Sequence, residues 1–135
     1  MNHLIICREY PPALGGGIGT YVHHMARLFA KSGETVHVIG QLWRGAEQAL
    51  EEQYHGRLVI HRVPCEDWTA FLSPKPRAVH KDRVVWALFH SGYHPQCFSW
   101  QASLLAEKLI EHEKIDLIEA QEYETPLYFL QLRRA

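Results

Sequence analysis

Cysteine is scarce in this chain and is not arranged as a motif: Cys7, Cys65 and Cys97 are odd in number, scattered, and lack C-x-x-C spacing. Such a set reads as free thiols of a reducing compartment, and it argues against a disulfide framework or a cysteine-based metal site. An excess of one charge is lacking as well. Lys plus Arg number 14 against 15 for Asp plus Glu, which leaves no footprint for nucleic acid and no polybasic patch for a membrane surface. No apolar run approaches the length of a bilayer span. The first strand begins almost at Met1, with no signal peptide ahead of it, so the expected location is the cytoplasm. Repeats and low-complexity linkers are also missing. The 135 residues are one domain's worth of chain, enough to bury roughly two-thirds of the unfolded surface in a core.

Two absences concern one short stretch, Gly15-Gly16-Gly17-Ile18-Gly19. No lysine follows the glycines, which excludes a P-loop, and Val22 stands where a dinucleotide fingerprint carries its third glycine. What is present is an apolar strand, His3–Cys7, a proline- and glycine-rich loop, and an amphipathic helix from Ile18 to Gly33. Ile18, Val22, Met25 and Phe29 form its apolar stripe, Thr20 is its expected cap, and Lys31-Ser32-Gly33 is its stop signal. A glycine loop feeding a helix leaves backbone N–H groups and the positive end of a helix dipole for an anion, most often a phosphate. Three glycines in a row also make an ordinary tight turn, and the loop by itself does not separate the two.

Further along, Thr35–Gly40 reads as a second strand and Leu58–Val63 as a third, with the acidic Gln41–Gly56 between them as a loose helix or loop. Cys65–Val79 reads as an irregular excursion and Lys81–His90 as helical, broken by Ser91–Pro95. Phe98, Ala102, Leu105 and Leu109 mark a second helix, Ile115–Ala120 a fourth strand, and Pro126–Leu132 a last apolar helix with nothing beyond it to pack on. Strands alternating with helices through short connections predict an α/β fold, a doubly wound, mostly parallel, Rossmann-like sheet. The expected spatial order is third, second, first, fourth. Winding then reverses between the first and fourth strands, and ligands of open α/β sheets bind at that switch point. The loops opening there are Arg8–Gly17 and Gln121–Thr125.

Several side chains there suit chemistry. Glu119, Glu122 and Glu124 cluster around the end of the fourth strand, where alternation puts Glu119 and Gln121 on one face and Ala120 and Glu122 on the other. Carboxylates there bind sugar hydroxyls or serve as general acid and base, or else simply cap a helix. His90 and His94 have a metal-binding spacing, but Gly92 and Pro95 argue against a regular helix and no third ligand is near, so no metal is expected. His37 and His61 read as packing or edge residues of strands. Trp86 and Trp100 read as core or interface.

Glu9-Tyr10-Pro11-Pro12, Gly15–Val22 and Ser32–Ile39 resemble the start of family 4 glycosyltransferases. His61–Pro64 resembles that family's third strand, and Asp116–Tyr123 the strand and loop closing the far side of its cleft. The resemblance implies the incomplete N-terminal half of a GT-B enzyme: a Rossmann-like, acceptor-side domain over residues 1–135. Such an enzyme transfers a sugar from a nucleotide-sugar donor to an acceptor hydroxyl with retention, in polysaccharide or glycolipid synthesis. It implies donor-binding Gly16 and Gly17, acceptor-binding Gln121, Glu122 and Tyr123, no cofactor and no metal. Catalytic residues stay unassigned, because Glu119 and Gln121 stand where many relatives carry His-x-His. The implied partners are a nucleotide-sugar, a carbohydrate or lipid-linked acceptor, and a missing C-terminal domain. The implied location is cytoplasmic, with the inner membrane face as an alternative. The expectation is of a truncated, inactive fragment able to self-associate through its last helix. The rivals are another Rossmann enzyme, an epimerase or dehydrogenase, and a non-catalytic association module. The absence of an acidic residue at Gly40-Gln41 weighs against a dehydrogenase.

Overall fold

The computed structural model describes residues 1–12, 16–64 and 94–134. Within them lie β1 (Asn2–Ile6), α1 (Gly17–Lys31), β2 (Thr35–Gln41), β3 (Leu50–Gln53), β4 (Leu58–Val63), α2 (His94–Glu113), β5 (Leu117–Ala120) and α3 (Tyr128–Arg134). The five strands form one sheet in the order β3-β4-β2-β1-β5. All pairings are parallel except β3 with β4. The chain is therefore α/β with a mostly parallel sheet, and the predicted order of its four parallel strands is the observed one.

Strand alternation supplies both faces of the core. Ile5, Val36, Val38, Leu58 and Ile60 point to one side, where Val22, Ala26 and Ala30 of α1 cover them. Leu4, Ile6, Ile39 and Val63 point to the other, against Phe98, Ala102, Ala106 and Leu109 of α2. A sheet buried on both faces explains why these strands read as apolar runs and not as alternating ones.

Several expectations need correction. The stretch read as a loose helix or loop contains β3, an antiparallel edge strand. Helix α1 is capped by Gly16, with no side-chain cap, and Thr20 lies inside it. Its buried line is Gly19, Val22, Ala26 and Ala30, so Met25 sits beside the contact and not at its centre. The stop signal holds: Gly33 takes φ 98°, and its N–H and that of Ser32 donate to Ala30 and Leu28 carbonyls. Helix α2 begins at His94, with Pro95 in its first turn, where a missing N–H costs nothing. Strand β5 starts at Leu117, two residues later than expected, and ends at Ala120, so Gln121 and Glu122 lie beyond it and the alternation argument does not reach them. Helix α3 starts at Tyr128, two residues later than expected, and packs back on α2: Leu130 is buried in the α2 core, Phe129 meets Trp100 edge-on at 5.2 Å, and Arg133 grips Glu107 by two bonds of 2.8 and 3.0 Å. Cys65–Val79, Lys81–His90 and Trp86 lie outside the described residues.

Candidate functional site

The reversal of winding falls between β1 and β5, and the chain leaves both strands at the same end of the sheet. A shallow cleft occupies that position, with about 20 Å³ of room in it, enough for one water molecule. Arg8 and Glu9 from the first loop and Gln121, Tyr123 and Glu124 from the second supply its polar lining. Its apolar surface comes from Ile6, Ile18 and Phe98, flanked by Pro95 and Pro126.

Backbone bonds hold the first loop in place. Cys7 N–H donates to the Ile39 carbonyl, and the Arg8 carbonyl accepts from Gln41 N–H and from Trp43 Nε1, so the chain leaving β1 stays tied to β2. Beneath the loop lies Arg62, 3 % exposed. Its Nη1 donates to the Tyr10 carbonyl at 3.0 Å and to the Gln41 carbonyl at 3.3 Å, and its Nη2 to the Pro11 carbonyl. Glu51 of β3 stands 3.6 Å from Nε, an ion-pair distance too long for a hydrogen bond. Burial lowers the Arg62 pKa, and Glu51 opposes that shift. This guanidinium fixes the shape of the loop from below.

Gly19 sets how closely the loop approaches α1. A Cβ built on it would meet the Glu9 carbonyl oxygen at 2.3 Å, whereas at Gly16 and Gly17 it would meet nothing within 4 Å. The carboxylate of Glu9 then turns to the head of the helix, where its Oε2 accepts from Gly16 N–H at 2.9 Å. A side-chain anion thus lies at the positive end of α1.

The second loop is joined to the first by Arg8. Its Nη1 is 3.2 Å from Glu124 Oε2, its Nε donates to Gln41 Oε1 at 2.9 Å, and its guanidinium carbon sits 5.0 Å from the Trp43 ring centre. Glu124 and Thr125 both adopt left-handed backbone, φ 63° and 45°. Neither is glycine, so this loop carries local strain of the kind that collects at functional sites. Cys7 also lines the cleft, but burial pushes its thiol up to about 12, which leaves no thiolate at neutral pH.

The expected site residues are therefore placed as follows. Gln121 and Tyr123 line the cleft; Glu122 is exposed beside it and lends its carbonyl to Thr125 N–H. Gly16 and Gly17 stand at the head of α1, behind Glu9 and outside the lining. Arg8 and Glu124 carry the clearest geometry and were not singled out together in the sequence, since 116 positions separate them. His37 and His61 meet away from the cleft, Nδ1 of one 3.2 Å from Nε2 of the other, with Glu113 at 3.9 Å from His37. Among the described residues no group of three or more His, Cys, Asp or Glu is placed to hold a metal ion, and no helix is long and apolar enough to cross a membrane. No protein-family model, curated protein or solved structure matches this chain.

Proposed function

We propose that the chain is the acceptor-side, Rossmann-like half of a retaining GT-B glycosyltransferase. On this reading the whole enzyme moves a sugar from a nucleotide-sugar to a hydroxyl of a carbohydrate or lipid-linked acceptor. A second, nucleotide-holding domain is the partner it requires, and work on a lipid-linked acceptor would put it at the inner membrane face. The observation that carries the reading is the shared cleft: Arg8 and Glu9, after β1, and Gln121, Tyr123 and Glu124, after β5, line one pocket at the switch point.

The chemistry follows from the two sides. Helix α1 offers first-turn N–H groups at Gly17, Ile18 and Gly19 that have no partner within the helix. The Glu9 carboxylate now sits at this helix end on Gly16 N–H, so a leaving diphosphate reaches the donors by displacing it, and there they stabilise the charge that develops as the glycosidic bond to the nucleotide breaks. Glu124, Gln121 and Tyr123 hold and orient the acceptor so that its hydroxyl meets the anomeric carbon. The dehydrogenase rival is disfavoured by Gln41. That side chain stands where a dinucleotide enzyme presents an acid to the ribose, and here it is fully buried and accepts from Arg8.

Equilibrium titration with UDP-glucose, GDP-mannose and NAD⁺ tests the proposal. A weak, millimolar response to at least one nucleotide-sugar with none to NAD⁺ is the expected result. Micromolar NAD⁺ binding with no response to the nucleotide-sugars overturns it.

A further inference from the structure

The sheet has two edges, β3 and β5, each four residues long, and they are guarded differently. β3 reads Leu-Glu-Glu-Gln, and the two glutamates at its centre repel a second copy of themselves, as natural edge strands commonly do. β5 reads Leu-Ile-Glu-Ala and carries a single charge. It closes the strand order, so its outer N–H and C=O groups pair with no other strand among the described residues. β5 and the segment after it also carry Leu117, Tyr123, Tyr128 and Leu132, which are 45 %, 66 %, 49 % and 57 % exposed. Exposed apolar side chains gathered beside an open edge mark an interaction surface.

We infer that β5 pairs antiparallel with β5 of a second copy of this chain, across a two-fold axis at Ile118. The inference stands apart from the glycosyltransferase reading. A two-fold pairing is self-complementary: where residue i meets j, residue j meets i. With Ile118 opposite its own counterpart, a β-branched apolar pair lies on the axis. Counting outward, Leu117 meets the partner's Glu119, Asp116 the partner's Ala120, and Lys114 the partner's Glu122. Lys114 and Glu122 are both exposed, and neither side chain has a partner among the described residues. Two opposite-charge pairs thus close the ends of the shared ladder, and along it no like charges face each other.

Charge selects this register from the few that the backbone allows. In an antiparallel ladder, residues directly opposite either both turn their N–H and C=O groups toward each other or both turn them away, so the axis must run through a residue. An axis at Glu119 would set the two Glu119 carboxylates face to face and Asp116 against the partner's Glu122. An axis at Leu117 would set Lys114 against the partner's Ala120 and lose both ion pairs. Only the axis at Ile118 keeps the charges complementary. A shared ladder this short belongs at the weak end of protein interfaces, so the dimer should dissociate with a constant between about 1 μM and 1 mM.

Sedimentation equilibrium of the chain from about 10 μM to about 1 mM tests this, with charge reversals to locate the interface. The molar mass should rise from monomer toward dimer and no further. Lys114→Glu and Glu122→Lys each turn both ion pairs into like-charge pairs and should weaken the dimer about tenfold; the double variant restores them in reversed order and should return to within about threefold of wild type. Melting curves matching wild type confirm the variants' fold, and if one does not fold the other carries the same reversal. A monomer throughout, open-ended growth beyond the dimer, or a dimer that ignores both reversals overturns the inference. Each of those results leaves the glycosyltransferase reading as it stands.

Discussion

Replacing Gly19 by alanine isolates the contact that shapes the cleft. The backbone at Gly19 is ordinary helix, so alanine brings no conformational strain, and its intrinsic preference would by itself stabilise α1 by about 1 kcal/mol. Against that gain stands the Glu9 carbonyl oxygen, 2.3 Å from the new Cβ, with the carbonyl carbon at 3.3 Å. Both are backbone atoms and neither can rotate away. The loop or the head of the helix must shift by roughly 1 Å, an overpacking that costs about 1–3 kcal/mol, and the Glu9–Gly16 bond is worth about another 1 kcal/mol. The net destabilisation is on the order of 1–3 kcal/mol, or a fall of about 4–12 °C in Tm for a domain of this size. Alanine at Gly16 or Gly17 meets nothing within 4 Å, so only local preference acts: Gly17→Ala, inside the helix, should gain up to about 1 kcal/mol, and Gly16→Ala, at the cap, should lose about 0.5–1 kcal/mol. Thermal melts of the three variants side by side, followed by sugar titration, give the comparison. A Gly19→Ala protein that melts at or above the wild-type temperature would refute the close approach of loop to helix.

Arg62→Met should cost about 3 kcal/mol, because the Tyr10, Pro11 and Gln41 carbonyls lose their shared buried donor; a urea midpoint within error of wild type contradicts the role given to Arg62. Stability should also fall as pH drops from about 6.5 toward 4 through the His37–His61 pair. Burial lowers both pKa values, that of His61 to about 4, with each other's proximity adding to it at His61 and Glu113 partly opposing it. Depressed histidines contribute stability that is complete above their unfolded pKa and lost as they take up protons, here on the order of 2–3 kcal/mol. Urea curves at pH 7.5 and 4.5 should therefore differ less for His61→Gln, and an undiminished difference sinks the assignment. For the Arg8–Glu124 pair, a double-mutant cycle with Met and Gln should return a coupling of about 1 kcal/mol, the upper end for partly exposed ion pairs; zero coupling means the two loops are not tied together.

The sheet was legible because its signal is short-range. Apolar strands joined through short connections to periodic helices leave few topologies, and the order β4-β2-β1-β5 is a common one for a doubly wound sheet. Strand β3 was not legible, because Leu-Glu-Glu-Gln is held at an edge by backbone pairing with β4 and carries no alternation to read. The start of α1 was misplaced for a similar reason: a glycine cap leaves no side-chain signature, and Thr20 looked like a better one. In the cleft, the loops could be named from the switch-point rule, and Gln121 and Tyr123 with them. The contacts that give the cleft its chemistry could not. Arg8 with Glu124, and Arg62 under the turn of Tyr10 and Pro11, join residues 116 and 51–52 positions apart, and only tertiary packing brings them together. The Gly19 requirement is likewise invisible in a run of glycines until the Glu9 carbonyl is placed against it.

An amide shift map of the isotope-labelled chain, titrated with the nucleotide-sugar that binds best, addresses the central claim most directly. The account predicts that the largest shifts fall on Arg8, Glu9 and Ile18 from one side and on Gln121, Tyr123 and Glu124 from the other, saturating together with one affinity. Shifts confined to one of the two loops, or centred elsewhere on the sheet, would contradict it.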